Sequence, residues 1–365
     1  MWLARRTRRL EASLTFTIRV ADQDISYDCA PNESVLDATE RAGYSIPYSC
    51  RKGVCASCLG DLVAGTAFVR GQGMCTGPMQ SVLLCQARPQ SDIEISPSRI
   101  RPSETIQRKI FTAKVRKIDR PTPTVSIIQL RLPIGRRGIF RAGQYLRVLM
   151  SGGDSRNYSM ANPPQKNDEV ELHIRRVSGG TFSEGILTRL APSSTLDVEL
   201  PYGEFSLSDA VDRKAILIAT GTGFAPMKSI IENGIKSGLT RPLHLYWGAN
   251  IESDLYMLDL ARSWAEAHAW FTFTPVVSAP SSKWRGRTGL VHRAVQADYP
   301  DMSELEVYAC GAPVMIEAAR HDLCSESGLT NDAFFSDAFV PSGDRGADRL
   351  AAAAATAKGY AALST

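Results

Sequence analysis

Long apolar runs are missing from this 365-residue chain: no stretch approaches the roughly 20 residues that a membrane helix needs, so no membrane association is expected. One-sided charge is nearly missing too. The formal net charge is +4, and Arg5, Arg6, Arg8 and Arg9 account for all of it. The rest of the chain is balanced, which argues against a nucleic-acid footprint. The opening segment, MWLARRTRRLEAS, lacks the apolar core that a secretory leader places after its charges; Glu11 and Ser13 follow instead. It reads as a basic flexible tail over residues 1–12. The eight cysteines lack the dense, even spacing of a small secreted disulfide scaffold, which points to a reduced, cytoplasmic chain. Internal repeats are absent. So is the G-x-G-x-x-G fingerprint, so a Rossmann dehydrogenase is not indicated.

What is present falls into three compositional units. In the first, residues 13–97, SLTFTIRV alternates strictly, placing Leu14, Phe16, Ile18 and Val20 on one face of a half-buried strand. ISYDC returns as a hairpin partner. Ser34 is placed to cap a short helix, VLDATERAG, that Gly43 ends. Residues 98–109, rich in Ser, Pro and charge, read as a linker. In the second unit, residues 110–209, six short strands punctuated by Gly, Pro and Asn predict an antiparallel β-barrel. The third, residues 210–340, opens on KAILIAT, a strand apolar on both faces. Strand and helix then alternate, which predicts a doubly wound parallel sheet. Residues 341–365 have no apolar stripe and are expected to be disordered. The fold class is therefore multidomain, α+β followed by α/β.

SCRKGVCASC sets Cys50, Cys55 and Cys58 at C-x4-C-x2-C, and Cys85 follows in VLLCQA. This is the plant-type spacing for a 2Fe–2S cluster. Two irons need two thiolates each, and a tight loop must wrap the sulfides. Gly53 allows the unusual backbone angles, while Ala56 and Ser57 are small enough to let the loop approach. A structural zinc site would want C-x2-C twice, and only Cys55 with Cys58 makes such a pair. Cys75 is the rival fourth ligand. It lies in the Gly-rich GQGMCTGPM, read as a mobile loop, whereas Cys85 lies in an apolar segment read as a strand, and Cys85 is preferred.

Three further motifs suit nucleotides. RNYS, residues 156–159, follows a Gly-rich turn. HIRRVSGGTFS brings Arg175 and Arg176, a turn at Gly179 and Gly180, and Ser183 ahead of a helical stretch. This is either an anion site at a helix start or a basic hairpin in water. GTGFAP sits where KAILIAT ends and a helix begins, so its glycines let a pyrophosphate approach, with Pro226 in the first helical turn. After YWGAN, Glu252 or Asp254 either binds a ribose hydroxyl or caps a helix. YACGAP puts Cys310 at the carboxyl end of a later strand, either lining a nicotinamide pocket or packed as a small core residue.

Taken in order, the four cysteines, RNYS, GGTFS, GTGFAP, YACGAP and FFSDAF resemble the ferredoxin-NADP reductase superfamily with an N-terminal plant-type ferredoxin. Within it the chain resembles the reductase components of bacterial aromatic-ring oxygenases. PYSCRKGVCASC, FRAGQYL and YSMANPP look most like the terephthalate dioxygenase reductases, and sugar-deoxygenating reductases are close in pattern. The resemblance covers about residues 13–340. It implies a β-grasp 2Fe–2S ferredoxin, an antiparallel β-barrel FAD domain and a parallel-sheet NAD(P) domain. It implies that Arg156, Tyr158 and Ser159 hold the flavin, with Ser159 near its reactive edge. Gly180, Thr181 and Ser183 would bind the FAD pyrophosphate, and His173 and Arg175 are expected among the cofactor contacts. Gly221, Thr222 and Gly223 would bind the nicotinamide dinucleotide. Cys310 and Gly311 would lie beside the nicotinamide, and Phe335, within the aromatic group Phe334, Phe335 and Phe339, near the flavin. Ser159 and Cys310 are thus the residues expected at the reacting atoms, and no general acid or base is called for. The implied cofactors are a 2Fe–2S cluster, FAD and NADH or NADPH. The implied acceptor is a terminal oxygenase of Rieske type, the alternatives being a sugar-deoxygenating enzyme or a monooxygenase. A non-catalytic electron carrier disagrees with GTGFAP and YACGAP both being present. Two departures stand out: Asn250 where several relatives carry arginine, which leans toward NADH, and Ala56 where glycine is common.

Overall fold

The computed structural model describes residues 15–51, 53, 57–103, 107–210 and 212–339. Both tails, Leu14 and Cys55 lie outside the described residues. The chain divides into two compact units. The first combines Met1–Ile46 with Cys58–Glu104; the second combines Pro47–Ser57 with Thr105–Thr365.

The first unit contains β1 (Phe16–Val20), β2 (Ile25–Cys29), α1 (Val35–Arg41), β3 (Tyr44–Ser45), β4 (Leu59–Ala64), β5 (Thr66–Val69), β6 (Gly73–Thr76), β7 (Met79–Leu83), β8 (Ala87–Pro89), β9 (Ile93–Pro97) and β10 (Arg101–Pro102). Its main sheet has the order β2-β1-β9-β4-β7. β1 and β9 run parallel, and the other pairings in this sheet are antiparallel. The alternation read in the sequence holds: Ile18 and Val20 are buried on the inner face. Ser34 caps α1 by accepting from the Asp37 amide, and Gly43 follows the helix with φ +83°. β5 pairs β6 and β8 in a second small sheet, and β10 pairs β3. Part of the stretch read as a linker thus forms a short strand.

The second unit contains two sheets. The first comprises β11 (Lys109–Thr122), β12 (Val125–Arg131), β13 (Tyr145–Leu149), β14 (Ser155–Ser159), β15 (Glu169–Arg175) and β16 (Thr195–Tyr202), in the order β14-β13-β16-β11-β12-β15. Every pairing is antiparallel, and an isolated bridge between Met160 and Leu172 links the β14 end back to β15, giving a barrel-like closure. Its interior is filled by Ile128, Leu146, Val148, Leu172 and Phe182 among others.

The second sheet is wholly parallel, in the order β20-β19-β18-β17-β21-β22. Along the chain it runs β17 (Ala215–Thr220), α2 (Phe224–Ser237), β18 (Leu243–Ala249), α3 (Leu258–Ala267), β19 (Phe271–Val277), β20 (Arg287–Thr288), α4 (Val291–Asp298), β21 (Glu306–Gly311), α5 (Pro313–Glu326) and β22 (Phe334–Ala338). β17 explains its own apolar run. Leu217 and Ala219 pack into one core with Phe224 and Trp247, and Ile216 and Ile218 into another with Val291 and Leu323. A strand covered by helices on both faces has no polar side to show.

Three local expectations are corrected. Cys85 sits in the turn after β7, not within a strand. Cys75 is not in a loop: it is buried in β6, opposite Ala67. The helical stretch after GGTFS is one wide π turn, Thr181–Ile186, because the Gly185 amide reaches back five residues to the Gly180 carbonyl.

Candidate functional site

In the first unit, β4 and β7 pair Leu59 with Leu83, so Cys58 and Cys85 lie at the same end of an antiparallel pair. The Leu84 amide donates to the Cys58 carbonyl at 3.2 Å, and the Gln86 side-chain Nε2 lies 3.4 Å from Cys85 Sγ. Both cysteines are buried. Cys29 and Cys75 are buried differently: the Cys29 thiol faces the Ala30 and Glu33 carbonyls, and the Cys75 thiol faces the Gly73 carbonyl. Burial pushes the Cys29 thiol up to about 12 and raises that of Cys75, so neither is primed as a thiolate.

Cys50 belongs to the second unit, where the segment around it is held firmly. The Gly203 amide donates to the Tyr48 hydroxyl at 3.1 Å, the Ser49 hydroxyl bonds Asp337, and the Arg51 guanidinium lies 4.4 Å above the Tyr48 ring. Gly53 has φ +77°, the left-handed geometry that the tight loop was expected to need.

β14 carries RNYS. Arg156 donates to Asp154 at 2.6 Å and to the Ser155 carbonyl at 2.9 Å. The Tyr158 ring leans on Phe182 with centroids 5.4 Å apart. Ser159 faces Tyr145 across the β13–β14 pair. Both of their hydroxyls are buried without a hydrogen-bond partner among the described residues. Leaving a hydroxyl so costs about 1–3 kcal/mol, and a polar ligand edge between them would remove that cost. This donor set fits a flavin.

The GGTFS turn is built tightly. A Cβ on Gly180 would meet the Ser183 hydroxyl at 2.5 Å and the Val177 carbonyl at 2.8 Å. The Ser183 hydroxyl accepts from the Val177 amide at 3.0 Å, while Thr181 stays exposed. A Cβ on Gly221 would lie 3.4 Å from the Arg175 guanidinium, so the structure brings Arg175 to the GTG turn.

That turn, Gly221–Gly223, is a 3-10 turn running into α2. Gly223 has no room for a side chain, since a Cβ would fall 2.2 Å from the Cys310 carbonyl oxygen. The Ala312 amide donates to Thr220 Oγ1 at 3.2 Å, and Gly311 has φ +137°. The carboxyl ends of β17 and β21 therefore meet backbone to backbone, the cradle a pyrophosphate needs. Cys310 itself is fully buried, and burial pushes its thiol well above the usual range. Phe335 stacks flat on Tyr308, centroids 4.6 Å apart and planes 4° from parallel.

His173, expected among the cofactor contacts, turns its ring inward. Its side chain is buried and both ring nitrogens are engaged inside the protein, Nδ1 with the Tyr256 hydroxyl at 2.8 Å and Nε2 with Glu171 at 3.1 Å. Sequence reasoning missed Glu171, Lys228 and Tyr256 altogether. The one signal was the i, i+4 spacing of Lys228 and Glu232. Near the carboxyl ends of β18 and β19 a cavity of about 580 Å³ is lined by Glu252, Lys283 and Trp284 among others. Glu252 accepts from the Ser281 amide at 2.7 Å, and Asn250 Oδ1 accepts from the Ser278 hydroxyl at 3.2 Å.

Fold and site together define a three-part electron-transfer flavoprotein. Comparison with known proteins agrees. Residues 18–90 match the 2Fe-2S iron-sulfur cluster binding domain, 112–207 the oxidoreductase FAD-binding domain and 217–321 the oxidoreductase NAD-binding domain. The chain is 39% identical over 335 residues to reductase component 1 of terephthalate 1,2-dioxygenase from a Comamonas species, covering 89% of this chain and 97% of that one. It is 36% identical to the CDP-6-deoxy-L-threo-D-glycero-4-hexulose-3-dehydrase reductase of Yersinia pseudotuberculosis, covering 90% and 100%. Among solved structures it is similar to the Amycolatopsis cytochrome P450 reductase GcoB, with TM-score 0.72, 29% identity, and 90% and 99% coverage. The chain belongs to the ferredoxin-NADP reductase superfamily, in the branch that carries an N-terminal 2Fe–2S ferredoxin and includes oxygenase reductase components. It is an NAD(P)H-dependent oxidoreductase using FAD and a 2Fe–2S cluster.

Proposed function

We propose that this chain delivers electrons from NADH to the terminal oxygenase of an aromatic-ring dioxygenase, a Rieske-type protein, in the cytoplasm. The observation carrying this reading is the 39% identity to a dioxygenase reductase component over 97% of that protein. Cys50, Cys55, Cys58 and Cys85 hold the cluster. Arg156, Tyr158 and Ser159 seat the flavin, and Arg175, Gly180, Thr181 and Ser183 its pyrophosphate. Gly221, Thr222 and Gly223 receive the nicotinamide dinucleotide, with Cys310, Gly311 and Phe335 walling the nicotinamide end. When bound, FAD would supply two-electron hydride acceptance and the cluster one-electron transfer, so the protein's task is placement and tuning. Ser159 offers a hydrogen bond where the flavin's polar edge would lie. The Gly223 backbone admits phosphate oxygens that a side chain would exclude. Cys310, kept as a neutral thiol by burial, shapes a dry wall without adding charge.

Asn250 and Glu252 favour NADH. A 2′-phosphate in the cavity beside them would meet the Glu252 carboxylate, whose pKa is lowered by hydrogen bonds, that of the Ser281 side chain first. The test is steady-state turnover with NADH and NADPH, using candidate oxygenases and a sugar dehydrase as acceptors. NADH-driven reduction of an aromatic-ring dioxygenase supports the reading. Turnover with the dehydrase alone would replace it with the sugar-deoxygenating reading, which the 36% identity to such a reductase over its full length favours.

A further inference from the structure

Within the second unit, the flavin strands and the nucleotide sheet are joined by a buried polar chain. Lys228, one turn into α2, is buried. Its ammonium lies 3.1 Å from Glu171, 2.9 Å from Glu232 and 3.3 Å from the Ala161 carbonyl. Glu171 and Ala161 belong to the flavin side, on β15 and just after β14. The same Glu171 oxygen receives His173 Nε2, and His173 Nδ1 meets the Tyr256 hydroxyl. Despite burial, the His173 hydrogen bond and the Lys228 charge hold Glu171 down at about 2, so it is ionised. An ionised Glu171 assigns the proton of the neutral imidazole to Nε2, which leaves Nδ1 to accept from Tyr256.

Tyr256 passes the constraint on. Its ring stands edge-on to Trp247, centroids 5.2 Å apart at 89°, and to Phe224 at 6.1 Å. Trp247 stacks on Phe224 at 4.0 Å, and its indole N–H donates to the Gly221 carbonyl at 3.1 Å. The chain of contacts thus runs from a flavin strand to the first glycine of the dinucleotide turn.

We propose that Glu171, Lys228, His173 and Tyr256 form a positioning relay that fixes the Gly221–Gly223 turn against the flavin strands and so sets the approach of nicotinamide to flavin. The inference rests on the reading above that this turn receives the nicotinamide dinucleotide. Buried ion pairs add little net stability, but each bond here is directional, and removing one member strands the others. Hydride transfer is where such placement matters, since a misplacement of about 1 Å can cost roughly 10²-fold in rate. A second tie keeps α2 seated when the relay is cut: Ser229 donates to the Asn162 carbonyl at 2.7 Å. The effect is therefore expected in the turn.

The experiment compares the full chain with Tyr256→Phe and Glu171→Gln. Hydrogen exchange is read at the amides of residues 221–224 in cofactor-free protein, and single-turnover flavin reduction by NADH in loaded protein. Exchange at the turn is expected to rise about tenfold and flavin reduction to slow by about tenfold or more, as a small misplacement would give. Photochemical reduction of the flavin, which bypasses nicotinamide, keeps its wild-type rate. Unchanged exchange and unchanged flavin reduction in a folded Tyr256→Phe protein overturn the relay, even if its melting temperature falls. Should Glu171→Gln not fold, Tyr256→Phe decides, since it removes one oxygen atom. If NADH fails to reduce wild-type flavin, the functional reading has failed instead, and the exchange data still judge the relay.

Discussion

The Ser159 hydroxyl is buried with no hydrogen-bond partner among the described residues, and Tyr145, its register partner across the strand pair, has a hydroxyl in the same state. Without cofactor that arrangement works against stability, by about 1–3 kcal/mol per group. Ser159→Ala is therefore expected to leave the melting temperature of the cofactor-free protein unchanged or raise it. It should also weaken FAD retention and slow flavin reduction by about tenfold, a loss of about 1.4 kcal/mol of differential binding. Calorimetry of apo protein and stopped-flow absorbance check the two halves. A clearly destabilised apo variant would show that the hydroxyl has a partner in the protein. At this scale the sequence offers candidates where chemistry repeats in a short window, as with Cys50 and Cys58 or Arg156 and Ser159. It was silent about Glu171 and Lys228, 57 positions apart in the chain and 3.1 Å apart in space, because no local spacing encodes a contact between a barrel strand and a distant helix.

Strands and helices were legible wherever one face meets a core. β18 illustrates what remains hidden. LHLYWG reads as a buried strand, yet it carries His244, whose ring nitrogens each lie 2.8 Å from a hydroxyl, on Tyr299 and Thr274. Burial first, and Lys214 second, push its pKa down to about 4. The unfolded chain takes up a proton near pH 6.5 while the folded chain does not. Stability from this group is complete above about 6.5 and falls as the pH drops toward 4, by about 3 kcal/mol at 1.36 kcal/mol per unit. Urea unfolding at pH 7 and pH 4.5 should show most of that loss in wild type, and His244→Gln should show a markedly shallower one. Equal losses would reject His244 as the source. The Gly-rich stretch around Cys75 misled for a related reason. Glycine there reads as loop, but Gly77 is needed because a Cβ would strike the Ala64 backbone at 2.8 Å, and β6 can then pair with β5.

For the whole molecule, division of labour among cofactors gives the sharpest prediction. Cys85→Ser should lose the visible absorption of the cluster and all oxygenase-coupled turnover, yet keep NADH-driven ferricyanide reduction through the flavin. Cys75→Ser should keep both. Loss of the cluster in Cys75→Ser, with Cys85→Ser unaffected, would reverse the ligand assignment. Among the described residues no helix is long and apolar enough to cross a membrane. The kinds and order of the parts are legible along the chain: a cysteine loop, an antiparallel barrel and a parallel sheet with a glycine turn. Those follow from short-range periodicity and from residue types whose chemistry is local. Packing in three dimensions alone turns His173 inward, brings Arg175 to the Gly221 turn, and makes the ends of β17 and β21 touch at Gly223 and Cys310. Each depends on segments far apart in the chain packing within van der Waals distance, and no pattern along one strand records which partner will face it.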